Sequence, residues 1–150
     1  MWRIVAPTPS ATDAFEVCTE SLRDVELRDR LRRAAPFISA ADDRYRIAGQ
    51  QGLLHELDAA AFIVNDVANG EMTRLYDRSF AAANSAGRTI YDAIKLAPKN
   101  GLCPLCGQGT VASLDHFLPK SSFSALAVNP ANLIPASSNV INPNLLRFPV

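Results

Sequence analysis

Prolines divide this chain more sharply than any other residue. Pro104, Pro119, Pro130, Pro135, Pro143 and Pro149 recur through the last fifty residues. A proline inside a helix removes a hydrogen bond and crowds the preceding turn, so no long helix fits anywhere in that stretch. Charge divides the chain at the same place. From Gly101 to Val150 the only charged side chains are Asp115, Lys120 and Arg147, and the other 27 of the 30 lie in the first hundred residues. The sequence therefore predicts a charged helical region over 1–97, then a compact, weakly charged module of turns and short strands over 98–150. With 150 residues, 48% of them hydrophobic, the chain is long enough to bury about two-thirds of its unfolded surface.

Three segments of the first region carry helical periodicity. Ser10 with Asp13 three residues on has the form of a capping box, and Phe15, Cys18, Leu22, Val25, Leu27 and Leu31 continue an apolar stripe. Its polar side holds Arg23, Asp24, Arg28, Asp29, Arg32 and Arg33, and Pro36 is expected to stop it. Cys18 falls on the stripe and reads as a buried structural thiol. A second helix is expected over 39–66 with Ser39 as its N-cap, with Gly49 and Gly52 marking a kink or close packing. His55 in this segment reads as an ordinary helix residue. A third helix is expected over 70–96, with Met72, Leu75, Tyr76, Phe80, Ala83, Gly87, Ile90, Tyr91 and Ile94 on its apolar face.

Balanced charge, 15 basic against 15 acidic residues, neither requires nor excludes a nucleic-acid partner, because a local basic groove is compatible with zero net charge. Arg28, Arg30, Arg32 and Arg33 alternate with acidic neighbours and read as a solvated helix face. Met1 to Ala6 runs straight into Pro7 and Pro9, without the apolar core of a secretory signal, and no apolar run is long enough to span a bilayer. A cytoplasmic protein without a membrane partner is expected. Three cysteines are too few for a disulfide framework.

Two short stretches carry chemistry. Cys103-Pro104-Leu105-Cys106-Gly107 is a CxxC knuckle. Two thiolates at this spacing can share one tetrahedral zinc. A redox pair and a metal-free turn are the other readings, and the first would need a strand–helix–strand context. Residues 109–117 (GTVASLDHF) suit short strands around a turn. They lead into Leu114-Asp115-His116-Phe117-Leu118-Pro119-Lys120-Ser121. Adjacent Asp and His diverge from a strand. One can hold a divalent metal through a hard oxygen while a neutral imidazole takes a proton from water. Asn132, sixteen positions after His116 within Asn129-Pro130-Ala131-Asn132-Leu133-Ile134-Pro135-Ala136, can accept from the imidazole N–H opposite the reacting nitrogen.

CPLCG, LDHFLPKS and NPANLIPA, in this order, resemble the HNH endonucleases of the ββα-metal group, in particular the subgroup with a zinc knuckle. The resemblance covers about residues 101–136. It implies a mainly α (α+β) chain: an N-terminal helical bundle followed by a small HNH-like module. It implies hydrolysis of phosphodiester bonds in DNA, with Asp115 as metal ligand for Mg²⁺ or Mn²⁺, His116 as general base, Asn132 positioning it, and Lys120 on a phosphate. Cys103 and Cys106 would be half of a structural Zn²⁺ site. The subgroup continues with a second Cys pair and a ligand Asn, where this chain has Ser137-Ser138-Asn139-Val140-Ile141-Asn142. Asn139 and Asn142 are then the candidate remaining metal ligands. Pro143 and Pro149 leave no room for the final helix, so the module is expected to be incomplete at that end. The resemblance also implies an alternative: a catalytically impaired relative that binds nucleic acid or an ATPase or other protein partner in a bacterial defence or restriction system.

Overall fold

The computed structural model describes residues 9–138. Four helices, α1 (Ala11–Glu20), α2 (Val25–Gln51), α3 (Asn69–Arg74) and α4 (Arg88–Leu96), precede a two-stranded antiparallel sheet of β1 (Ser113–His116) and β2 (Leu133–Ala136). The fold is mainly α, with one small β element. Asn139, Asn142 and the expected missing final helix lie outside the described residues.

The capping box forms as expected: Ser10 Oγ accepts from Asp13 N at 3.2 Å, and the Asp13 carboxylate accepts from Ser10 N. The first helix does not run on to Pro36, however. It stops at Glu20, and α2 restarts where Asp24 accepts from Leu27 N at 3.1 Å. Pro36 lies inside α2, on its exposed side. There, water can satisfy the Arg32 carbonyl that proline leaves without a partner. Burial of Leu31, Ala34, Ile38, Ala41 and Tyr45 along the opposite face outweighs the loss. Ser39 is consequently a mid-helix residue and caps nothing.

The second helix ends early, at Gly52. A left-handed φ of 72° lets its N–H close on the Ala48 and Gly49 carbonyls. Residues 54–62 are short 3₁₀ turns, with exposed His55 in one of them. The third expected helix is broken too. α3 passes into a π-helical turn (Leu75–Phe80), and α4 starts only after Gly87. Gly87 packs so closely that a Cβ there would sit 2.8 Å from Phe80 Cα and 2.9 Å from the Ser79 oxygen. The break lets α4 turn back beneath the sheet.

One hydrophobic core joins all of this. It gathers Phe15, Leu31, Ile38, Phe62, Met72 and Phe80 from the helical part with Leu114, Phe123, Leu126, Val128 and Leu133 from the second. The change of composition at Pro98 is a change of secondary structure, and the core runs through it. Cys18 is fully buried and donates to the Ser79 oxygen at 3.5 Å; burial pushes its thiol up to about 12. Among the described residues, no helix is long and apolar enough to cross a membrane.

Candidate functional site

β1 does not pair with its immediate neighbours in sequence. It pairs with β2, which is the Leu-Ile-Pro-Ala of the third motif, in the register Asp115↔Ile134 and His116↔Leu133. Phe117 N donates to the Asn132 oxygen at 2.9 Å and Ala112 N to the Ala136 oxygen at 2.8 Å, extending the ladder at both ends. α4 fixes the sheet from one side, where the Tyr91 hydroxyl accepts from Leu114 N at 3.3 Å. The pairing brings Asp115, His116 and Asn132 to one end of the sheet.

The imidazole of His116 is half-buried. Its Nε2 lies 2.8 Å from the Ala127 carbonyl oxygen. A carbonyl can only accept, so Nε2 carries the proton, and Nδ1 of the neutral ring is left as the basic nitrogen. Burial pushes the ring's pKa below its ordinary value. The Ala127 carbonyl opposes this, and the Lys120 charge adds to it. A neutral ring near pH 7 follows. Tyr76 packs edge-on against the imidazole, with ring centroids 4.5 Å apart. The Asp115 carboxylate accepts from His116 N at 2.8 Å.

Asn132 does not reach the imidazole. Its Oδ1 accepts from Leu118 N at 2.8 Å, and its Nδ2 donates to the Leu118 oxygen at 2.9 Å and the Leu126 oxygen at 3.4 Å. The side chain is fully buried and staples residues 118–126 into one closed loop. Its effect on His116 therefore runs through that loop, and the atom that orients the ring belongs to the Ala127 backbone. Lys120 is engaged: its ammonium lies 2.6 Å from the Asp77 carboxylate and 4.4 Å from the centre of the Tyr76 ring. Tyr76 thus sits between Lys120 and His116.

The knuckle forms a tight turn. Gly107 takes a φ of 71° and its N–H donates to the Cys103 oxygen at 2.8 Å. Cys103 is buried, with its sulfur 3.9 Å from the Pro135 oxygen, while Cys106 is exposed and accepts from Gly109 N at 3.3 Å. Ser137 stands opposite, with its hydroxyl 3.7 Å from the Cys106 sulfur. The backbone N–H groups of Gln108 and Gly109, followed by the Ser137 hydroxyl, hold the Cys106 thiol down at about 7.

Two metals follow from the resemblance, and the donors treat them differently. Mg²⁺ retains most of its waters and takes one or two carboxylates with substrate oxygens; Asp115 fits that use. A closed zinc site needs four donors. Here Cys103 and Cys106 supply two, and the group facing them is the hydroxyl of Ser137, so the described residues do not complete it. Among the described residues, no set of three or more His, Cys, Asp or Glu side chains is gathered as ligands.

Sequence reasoning missed four contributors: the Ala127 carbonyl, the Tyr76 ring, Asp77, and the buried pair Asp42–Asn129 behind the loop, whose Asn129 Nδ2 donates to Asp42 at 3.0 Å. Asp42 alone left a signal, as an acid four residues after Ile38 on the apolar face of α2.

The chain is similar to Protein ea31 of Escherichia phage lambda, with 26% identity over 143 residues. The match covers 91% of this chain and 48% of that protein, so the chain spans about half of its relative's length. No protein-family model and no solved structure matches the chain.

Proposed function

We propose that this chain is a metal-dependent endonuclease of the HNH type that hydrolyses phosphodiester bonds in DNA. The observation that carries the reading is the hydrogen bond from His116 Nε2 to the Ala127 carbonyl, beside the Asp115 carboxylate at the end of the β1–β2 pair. It leaves the lone pair on Nδ1, and burial keeps the ring neutral near pH 7. That is the state in which an imidazole can take a proton from water as the water attacks phosphorus. Asp115 would hold Mg²⁺ or Mn²⁺, which when bound neutralises charge on the phosphate and on the leaving oxygen. Asn132 keeps the loop closed so that the ring stays where Ala127 holds it. Lys120 offers a positive charge to a neighbouring phosphate on exchanging Asp77 for it. A cytoplasmic location accords with such a substrate.

Purified protein with Mg²⁺ or Mn²⁺ is expected to nick supercoiled plasmid, and His116→Ala to abolish nicking. Equal nicking by the two proteins would remove His116 as the base. The alternative, an impaired relative working through DNA or a protein partner such as an ATPase, draws on the Ser137 hydroxyl that faces the cysteine knuckle and on the engaged Lys120. It predicts DNA binding without cleavage.

A further inference from the structure

We infer that α2 is a positioning element for His116, with Asp42 and Tyr45 as the residues that clamp the loop carrying the Ala127 carbonyl. The inference rests on the proposed function for its kinetic consequence, while its structural content does not depend on it.

The path is short and continuous. The Asp42 carboxylate is almost buried and accepts from Asn129 Nδ2 at 3.0 Å. Its other oxygen takes the Arg46 guanidinium at 3.1 Å. Asn129 is buried as well. Its Oδ1 accepts from Ala131 N at 2.9 Å, its N–H donates to the Leu126 oxygen at 3.3 Å, and its own carbonyl accepts from Asn132 N at 3.0 Å. One turn along α2, the Tyr45 hydroxyl donates to the Ala131 oxygen at 3.3 Å. These contacts fix residues 126–132 from both sides, and Ala127 lies between the fixed points. Its carbonyl is the atom that holds His116 Nε2.

Core packing alone does not require this arrangement. A carboxylate on the buried face of a helix costs desolvation that an apolar side chain would avoid. Asn129 could cap its own turn through Ala131 N without Asp42. The buried acid is explained if it specifies where the loop sits. Small displacements of a reacting group reduce rates steeply, by up to about a hundredfold for 1 Å. A clamp of this kind therefore acts on turnover and leaves substrate affinity nearly untouched.

The test reads the imidazole directly. The chain has two histidines, and the side chain of His55 is 65% exposed, so its ring N–H exchanges too fast with water to be seen. In ¹⁵N-labelled wild type, one protected ring N–H, that of His116, is expected. Asp42→Ala should accelerate its exchange at least about tenfold, because the loop loses a charge-assisted hydrogen bond. Asp42→Asn, which keeps an oxygen for Asn129 Nδ2, should restore protection. Tyr45→Phe, the milder variant that serves if Asp42→Ala fails to fold, should accelerate exchange about fivefold, the loss of one ordinary hydrogen bond. Ile38→Val, in the core on the same helix, should leave it within about twofold. In DNA cleavage, Asp42→Ala should lower kcat about tenfold or more with KM unchanged. Unchanged ring exchange in Asp42→Ala and Tyr45→Phe, or equal acceleration in Ile38→Val, would overturn the inference. If ring exchange follows Asp42 while wild type cleaves no DNA, the clamp stands and the nuclease reading falls.

Discussion

Replacing Asn132 by Asp tests the closed loop with almost no change of shape. The wild-type amide gives and takes: Oδ1 receives the Leu118 N–H, and Nδ2 faces the Leu118 and Leu126 carbonyls at 2.9 and 3.4 Å. An ionised Asp keeps the first bond but turns an oxygen toward two carbonyl oxygens in a fully buried site. Two hydrogen bonds are lost, at about 1 kcal/mol each, and a charge is buried against like dipoles. The side chain escapes by holding a proton. From an ordinary carboxyl pKa near 3.9, doing so at pH 7 costs about 4 kcal/mol, which is the ceiling on the pH-dependent part of the penalty. The folded-state pKa is thus raised. The variant's stability is fully present below pH 4 and is lost as pH rises through the folded-state value. Near pH 4 the O–H replaces one N–H donor, and the deficit against wild type should be about 1 kcal/mol. At pH 7 it should reach about 3–4 kcal/mol. Urea denaturation of both proteins at each pH gives the two differences, with pH effects elsewhere in the chain cancelling. A deficit that is equal at pH 4 and pH 7, or larger at pH 4, would refute the assigned donors.

Other perturbations follow from single contacts. Glu71 is held down at about 2, first by the two-pronged Arg30 contact at 2.8 and 2.9 Å and then by the Ala68 N–H; Glu71→Gln should cost about 1–2 kcal/mol at pH 7. Because that pKa is depressed, the stabilisation is present above the ordinary 4.5 and is lost as pH falls toward 2. The urea midpoints of variant and wild type should therefore converge over that window. Gly87→Ala drives a methyl group into the Phe80 and Ser79 backbone, which should cost about 2–3 kcal/mol and lower the thermal midpoint by roughly 5–10 °C; an unchanged midpoint would contradict the close approach. Asp77→Asn releases Lys120 and should tighten duplex DNA binding about two- to threefold at low salt by fluorescence anisotropy, the value of one surface ion pair. Weaker binding would count against Lys120 as a phosphate contact.

What could be read from residues alone, and what could not, has a physical pattern. Apolar periodicity marked most of the buried helix faces, because burial of those faces stabilises them, but it also placed Val25 and Ala83 there, and both are exposed. It could not find the breaks. Pro36 reads as a stop, yet an exposed position makes its missing hydrogen bond tolerable. Gly87 reads as a helix residue, yet contact with Phe80 ends one segment there and begins another. At the site, Asp115, His116 and Asn132 were visible as side chains in ordered motifs. Their meeting depends on a strand pairing across the intervening loop, which local pattern does not encode. The direct partner of the imidazole is a backbone carbonyl, and any residue type at position 127 would present one. Asn132 could be picked out by position but not by contact, since an amide serves a loop backbone as readily as a ring.

If Asp115 and His116 act together on one phosphodiester bond, single-turnover cleavage of a labelled duplex in excess enzyme with Mg²⁺ reads their coupling. Asp115→Ala and His116→Ala should each slow cleavage at least about a hundredfold, as loss of a general base does. The double variant should be scarcely slower than either, because members of one catalytic unit are not additive. Cleavage by the double variant at the wild-type rate, or losses that simply multiply, would mean that the two side chains do not form one catalytic unit.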